Sequence, residues 1–157
     1  MRLFEIGLAW IGAAVALGAT LVLLDLTSHS WLLASLGGSC VILFGMPLSE
    51  MAQPRSFVGG HLIATVTGLA FLRFGLAEFG GPATVWAVAA VATALVLMML
   101  TRTIHSPAGA NPIIVFAENA DWSFLFAPLA LGLVALFLTA LVINNAPRQR
   151  RYPVRWT

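Results

Sequence analysis

Lysine is absent from this sequence: all eight basic residues are arginines, and with six acidic residues they bring the charged fraction to only 9% of 157 residues. A soluble domain carries about 25% charged residues. So few charges cannot cover a water-facing surface of this size. That excludes a cytosolic globular enzyme, a nucleic-acid binder and a disordered chain. Cysteine is nearly absent too. Cys40 is the single one and lies in an apolar run, so no disulfide can form within the chain. Metal-ligand spacing is missing: His29, His61 and His105 are scattered, with no cysteine or carboxylate cluster beside them. Neither a Ser-His-Asp arrangement, nor paired carboxylates, nor a glycine-rich phosphate loop stands out. The expectation is a protein that is not an enzyme and carries no cofactor.

What the sequence has is apolar length. Hydrophobic residues make up 60% of it and the mean hydropathy is +0.95, where a soluble domain has roughly 45–50% apolar residues. An all-α, polytopic membrane bundle follows. Residues 6–24, 57–77, 83–100 and 124–143 are each long enough, at about 1.5 Å per residue, to cross a hydrocarbon core of about 30 Å. Residues 31–46, interrupted by Gly37-Gly38, and residues 107–117 are too short or broken for an ordinary span. The first stretch follows Arg2 but is long for a signal peptide and lacks a small-residue cleavage site, so it reads as a retained helix.

If both short stretches cross, Arg2, Arg55, Arg102 and the C-terminal Arg148, Arg150, Arg151 and Arg155 share one side. Asp25, Glu78, Glu118 and Asp121 take the other. That is a positive-inside pattern with both termini cytoplasmic, and the tail reads as an anchor for anionic lipid. If both stretches are re-entrant, only four spans remain and Arg55 and Arg102 move outside. The charge rule favours six crossings. Trp31, Trp86 and Trp122 then fall near the outer ends, as an aromatic belt would place them.

The two short stretches resemble each other, with Ala34-Ser35-Leu36-Gly37-Gly38-Ser39 aligning with His105-Ser106-Pro107-Ala108-Gly109-Ala110. Each is flanked by long spans, so the chain reads as two inverted repeats, about 6–77 and 83–143. Each repeat is two long spans around one short broken or re-entrant helix, a pattern that points to a transporter's binding site. Residues 1–145 then form one transmembrane domain and 146–157 a basic cytoplasmic tail.

Ser106-Pro107 reads as an N-cap followed by proline at the first helical position. A helix starting there would aim free N–H groups and its positive end at a small anion, with Ala108, Gly109 and Ala110 leaving room for close approach. Ser35, Gly37, Gly38 and Ser39 offer the same device in the first repeat, so two helix starts would face one cavity. His61, inside a span, is an intramembrane ionisable residue of the kind that faces a bundle interior. Arg102 and His105, three apart, share a face if their helix continues. Arg55 precedes the His61 span, and Arg73 is close enough to its helix end to snorkel outward.

At these residues the sequence resembles the HPP family of small integral membrane proteins, named for a His-Pro-Pro motif. Here that motif is His105-Ser106-Pro107-Ala108-Gly109-Ala110, with serine in place of the first proline. Gln53-Pro54-Arg55, Gly59-Gly60-His61 and Ala34-Ser35-Leu36-Gly37 extend the resemblance over roughly residues 5–145. The family is usually described with four spans, and its plant-plastid and cyanobacterial members are associated with nitrite transport. The resemblance therefore implies a transporter or channel for a small monovalent anion, nitrite above all. Arg55, His61, Arg102 and His105 would line the approach. The expected setting is a bacterial inner membrane, with the bilayer, the anion and a second copy of the chain as partners. Inward movement of one negative charge is opposed by about 2.3 kcal/mol per 100 mV of inside-negative potential, so uptake calls for a proton carried by His61 or His105. The competing class is a non-transporting scaffold or sensor subunit, which would need a polar surface domain that this chain has almost no room for.

Overall fold

The structure, a computed structural model, describes residues 3–25, 31–146 and 151–156. Arg2, His29, Arg148 and Arg150, and the side chain of Asp25, lie outside the described residues. Helix α1 spans Leu3–Asp25 and α2 spans Leu32–Gly45. Helix α3 spans Pro54–Ala70 and continues through a π turn, Phe71–Leu76, to Ala77–Phe79. Helix α4 spans Ala83–Thr101, and a 3-10 turn, Ser106–Ala110, leads into α5, Asn111–Ala117. Trp122–Leu125 and Phe126–Ala130 lead, across a kink at Ala127, into α6, Leu131–Asn145.

Four of these helical stretches are long and apolar enough to cross a membrane: Leu3–Leu24, Pro54–Phe79, Ala83–Thr101 and Trp122–Asn145. Their outward faces carry Trp10, Val22, Val88, Leu100, Phe126 and Val142 in exposed positions. Thr20, Ser35, Ser39, His61, Thr65, His105, Asn111 and Asn144 are buried. Apolar groups outside and polar groups inside is the reverse of a water-soluble fold, and it fits a bundle solvated by lipid.

The chain reverses direction at every segment. Gly12 of α1 lies against Phe44 of α2 and Ile143 of α6, while Gly132, at the other end of α6, meets Leu36 and Thr20. So α2 and α6 run together and α1 runs against both. On the other side, Gly59 meets Thr103, Gly60 meets His105 and Gly68 meets Pro112 and Val115, so residues 103–115 run alongside α3. Helix α4 runs against α3, from Trp86 beside Gly75 to Thr101, whose carbonyl accepts from Arg55. Both short segments therefore traverse the bundle. The ends of α1 and α6 nearest the termini lie together.

Three local expectations are corrected, and the described end of the tail packs back on the bundle. Helix α2 does not break at Gly37-Gly38. It runs unbroken, and Gly38 instead admits Pro107, whose Cβ would lie 3.1 Å from a Cβ at that position. Helix α4 stops at Thr101, because Arg102 adopts a left-handed conformation (φ 55°) and the Thr103 N–H returns to the Met98 carbonyl. Arg102 and His105 thus share no helix face. Arg73 donates to the carbonyls of Asn119 and Ala120 just past α5, rather than reaching into solvent. The tail is not free either. Tyr152 is buried with its hydroxyl donating to the Ala52 carbonyl at 2.7 Å, and the backbone N–H groups of Val154 and Arg155 donate to Gln53 Oε1.

Candidate functional site

Where α2, α3 and the Ser106–Ala110 turn meet, the bundle encloses a chain of polar side chains. Ser39 Oγ lies 2.9 Å from Nε2 of His61 and 2.9 Å from Nε2 of His105. His105 Nδ1 is 2.8 Å from the Met51 carbonyl. His61 Nδ1 is 3.0 Å from Asn111 Nδ2, which also donates to Thr65 Oγ1 at 2.8 Å. Ser35 Oγ closes the chain, 2.7 Å from Asn111 Oδ1 and 2.9 Å from the Pro107 carbonyl. His61, His105 and Asn111 have 0% exposure. The Phe57 ring stands edge-on to both imidazoles, with centroids at 5.5 and 5.4 Å, and the imidazole centroids are 5.0 Å apart.

Local chemistry puts each group there. Spacing of four places His61 and Thr65 on one face of α3, and Ser35 and Ser39 on one face of α2. The turn after α4 ends with His105 in an extended conformation (φ −139°, ψ 101°), which carries its ring into the bundle. Gly59 and Gly60 make the approach possible. A Cβ at Gly60 would lie 2.8 Å from both His105 Cβ and the Thr103 carbonyl oxygen. Buried polar groups without partners cost about 1–3 kcal/mol each, and here every one is partnered.

Ser35, Ser39, His61 and His105 of the anticipated site are thus brought together. Gly38 packs against Pro107 beside them, and Ala108 is buried in a separate apolar cluster with Ala64, Ala94 and Met98. Ser106 is exposed. It is the first residue of its helical turn rather than the cap, which falls at His105 without a side-chain bond. Ser106 and Ala110 line an outer groove with Ser35, Gly38 and Pro107. A Cβ at Gly37 or at Gly109 would meet open space. With α2 unbroken, the two facing helix starts do not occur.

Arg55 and Arg102 sit elsewhere, at the end of the bundle. They line a cavity of about 210 Å³ with Gln53, Ser56, Glu50 and Arg155. Ser56, which lines this pocket, immediately precedes Phe57, whose ring packs on the histidine pair. Arg155 pairs with Glu50 at 3.4 Å in an exposed position, and Arg55 donates to the Thr101 carbonyl, where the negative end of α4 favours a cation. Among the described residues no group of three His, Cys, Asp or Glu side chains can hold a metal ion.

Sequence reasoning missed Asn111, Thr65, Phe57, the Met51 carbonyl and Arg155. Asn111 carried a usable signal, since an amide inside an apolar segment demands a partner. The Met51 carbonyl and Arg155 carried none, because long-range folding alone brings them in.

The comparisons place this architecture. A family model described as the HPP transmembrane region matches residues 1–153. Two transmembrane proteins of Dictyostelium discoideum are similar. One is 36% identical over 161 residues, covering 97% of this chain and 51% of the relative. The other is 37% identical over 129 residues, covering 80% of this chain and 45% of the relative. This chain therefore spans about half the length of these curated relatives. Both relatives come from an amoeba, so the kinship does not carry a bacterial membrane with it. No solved structure matches. Matched by that model over residues 1–153, the chain belongs to the HPP transmembrane family.

Proposed function

We propose that the chain moves a small inorganic monovalent anion, nitrite in particular, across a membrane. The observation that carries the reading is the pocket with Arg55, Arg102 and Arg155 at the bundle end, whose lining Ser56 is one residue from Phe57, the ring edge-on to the buried histidines. Three guanidinium groups against one carboxylate give that mouth a net positive field, which concentrates anions before any tight binding. Behind it, Phe57 closes the way to Ser39, His61 and His105, whose hydroxyl and imidazole N–H groups suit an oxyanion stripped of water. Nitrite itself is favoured by the family resemblance.

Two further features support a transporter. The neighbour pattern is similar when α1 is exchanged with α4, α2 with the Ser106–Ala117 segment, and α3 with α6. Helix α1 packs on α2 and α6 as α4 packs on that segment and on α3. This supports two inverted repeats, and the arginine distribution supports cytoplasmic termini. Gly12, Gly68 and Gly132, small residues that could join copies, all have close neighbours within the chain, whereas Gly18 is open. A homodimer is instead proposed along the groove of Ala34, Ser35, Gly38, Val41, Ser106 and Pro107, because it is small-residue surface that lipid tails fill poorly. A non-transporting membrane scaffold or sensor subunit is the rival class.

The test is flux into liposomes holding only this protein, with nitrite, nitrate, chloride and formate compared. Nitrite flux above that of empty vesicles, reduced in Arg102→Gln, is the expected result. Equal flux with and without protein for every anion overturns the reading.

A further inference from the structure

We propose that His61, Ser39 and His105 form a store for a single proton, and that its arrival reverses the direction of the whole hydrogen-bond chain, turning over the Asn111 amide. The inference deepens the transport reading, but it stands on hydrogen-bond geometry and depends on that reading only for its use.

The chain has a fixed start. The Met51 carbonyl only accepts, so His105 Nδ1 carries a proton at all times. When His105 is neutral its Nε2 is an acceptor, and Ser39 must donate its one proton there. The Ser39 oxygen then accepts from His61, whose proton is on Nε2. His61 Nδ1 is left as an acceptor and takes one Asn111 amide proton, the other going to Thr65. Asn111 thus presents its oxygen to Ser35. The Ser39 proton has a longer alternative acceptor in the Ser35 carbonyl at 3.2 Å, and the main flaw lies at Ser35, whose single proton faces two acceptors, Asn111 Oδ1 and the Pro107 carbonyl.

One added proton removes the flaw. It enters at His61 Nδ1, the His61 Nε2 proton passes to the Ser39 oxygen, and the Ser39 proton passes to His105 Nε2. His105 is then the imidazolium and donates to Ser39, Ser39 donates to His61 Nε2, and His61 is neutral in its other tautomer with an Nδ1–H that needs an acceptor. A turn of the Asn111 amide supplies its oxygen to His61 and to the Thr65 hydroxyl. The amide nitrogen then donates to Ser35, and Ser35 donates to Pro107 alone. Each bond along the chain then has one donor and one acceptor, with one proton more on the imidazoles than before and the second Asn111 amide hydrogen released from the chain. A second added proton is opposed by charge, since it would put two imidazolium rings 5.0 Å apart in a buried site.

Among the described residues the polar groups around the pair are uncharged. Helix α2 gives Ser35 and Ser39, α3 gives Phe57 and Thr65, the loop before α3 gives the Met51 carbonyl, and the Ser106–Ala117 segment gives the Pro107 carbonyl and Asn111. Glu50, Arg55 and Arg102 lie on exposed positions in the end pocket. The consequence reaches the seam between α2 and the Ser106–Ala110 turn: the Ser35–Pro107 bond is undivided only when the proton is in.

Nitrogen-15 NMR of the full chain in lipid nanodiscs, labelled at histidine with His29→Gln to leave two signals, tests this. At alkaline pH one ring is expected protonated at Nε2 (His61) and the other at Nδ1 (His105). On acidification one imidazolium appears, and at the same midpoint His61 changes to its Nδ1–H tautomer, with one proton taken up per chain. Ser39→Thr preserves the linked change. Asn111→Asp, acceptor-only at that end, holds His61 in the Nδ1–H form throughout the titration. Uptake of two protons, separate midpoints, or a tautomer change persisting in Asn111→Asp overturns the proposal. Flux assays on the same preparations separate the two readings: tautomer exchange without flux removes transport and leaves the proton store, and flux without tautomer exchange does the reverse.

Discussion

His61 and His105 address one hydroxyl: both Nε2 atoms lie 2.9 Å from Ser39 Oγ, although the two histidines belong to different halves of the chain. Their meeting depends on the close approach of the segment after α4 to α3, which Gly59 and Gly60 permit. The geometry of the site is therefore set by backbone proximity as much as by the polar side chains, and it is open to test at glycine.

Gly60→Ala places a methyl 2.8 Å from a backbone carbonyl oxygen and from His105 Cβ, neither of which is the flexible end of a side chain. Overpacking of this kind costs about 1–3 kcal/mol. Gly109→Ala meets open space, and half-buried Gly109 lies beyond the site. The expected outcome is a clear loss of thermal stability in Gly60→Ala, with the His105 resonances displaced, and little change in Gly109→Ala. Matching melting curves for both variants would contradict the packing described.

The C-terminal strap gives a second test. Gln53 uses its whole side chain: Nε2 donates to the carbonyls of Pro47 and Ser49, and Oε1 accepts from Val154 and Arg155. Gln53→Ala removes all four bonds at a net of about 1 kcal/mol or less each, given nearby water. A loss of about 2–3 kcal/mol in reversible unfolding, with faster amide exchange at residues 151–156, is expected. Tyr152→Phe removes only the bond to Ala52. Burial raises the Tyr152 phenol above its ordinary range, so its hydroxyl remains a donor through neutral and mildly alkaline pH, and the Tyr152→Phe deficit is expected to be the same from pH 6 to pH 9.

How much of this was readable in advance depends on the range of the interaction. The spans follow from local composition, and the intramembrane His61 marks the interior because lipid tolerates no bare imidazole. The recurrence of Ser35 and Ser106 drew attention to the two segments that meet. It misled on the detail, because a glycine pair in a membrane helix serves close packing as readily as a break, and Gly38 is used for Pro107. The stop at Arg102 was invisible, since arginine has no preference for the left-handed conformation that it adopts there. Arg155 joins the end pocket only because the strap folds back on Gln53, a contact with no local signature.

Topology is tested by labelling. Ser49 lies in the loop between α2 and α3, on the side expected to be cytoplasmic, and its hydroxyl accepts from the Met51 N–H. In a Cys40→Ala background, Ser49→Cys is expected to resist a membrane-impermeant thiol reagent applied from outside and to react after permeabilisation. Efficient external labelling would invert the orientation or support only four crossings.

The arginines separate capture from structure. Arg102 lies exposed in the end pocket, where its charge acts on an approaching anion through water. Loss of one such charge is worth about 1 kcal/mol at low salt, hence about fivefold in affinity, and less as salt screens it. Arg73 sits near the opposite end of α3, where its three hydrogen bonds to the Asn119 and Ala120 carbonyls bind the loop after α5. Arg102→Gln is therefore expected to raise the anion concentration for half-maximal flux about fivefold at low ionic strength, with the melting temperature unchanged and the difference shrinking as inert salt is added. Arg73→Gln is expected to lower the melting temperature and leave that concentration unchanged, because its charge faces the far end of the bundle. If instead the two substitutions alter the half-maximal concentration equally, or the Arg102→Gln effect is insensitive to salt, the end pocket is not the mouth through which anions are gathered.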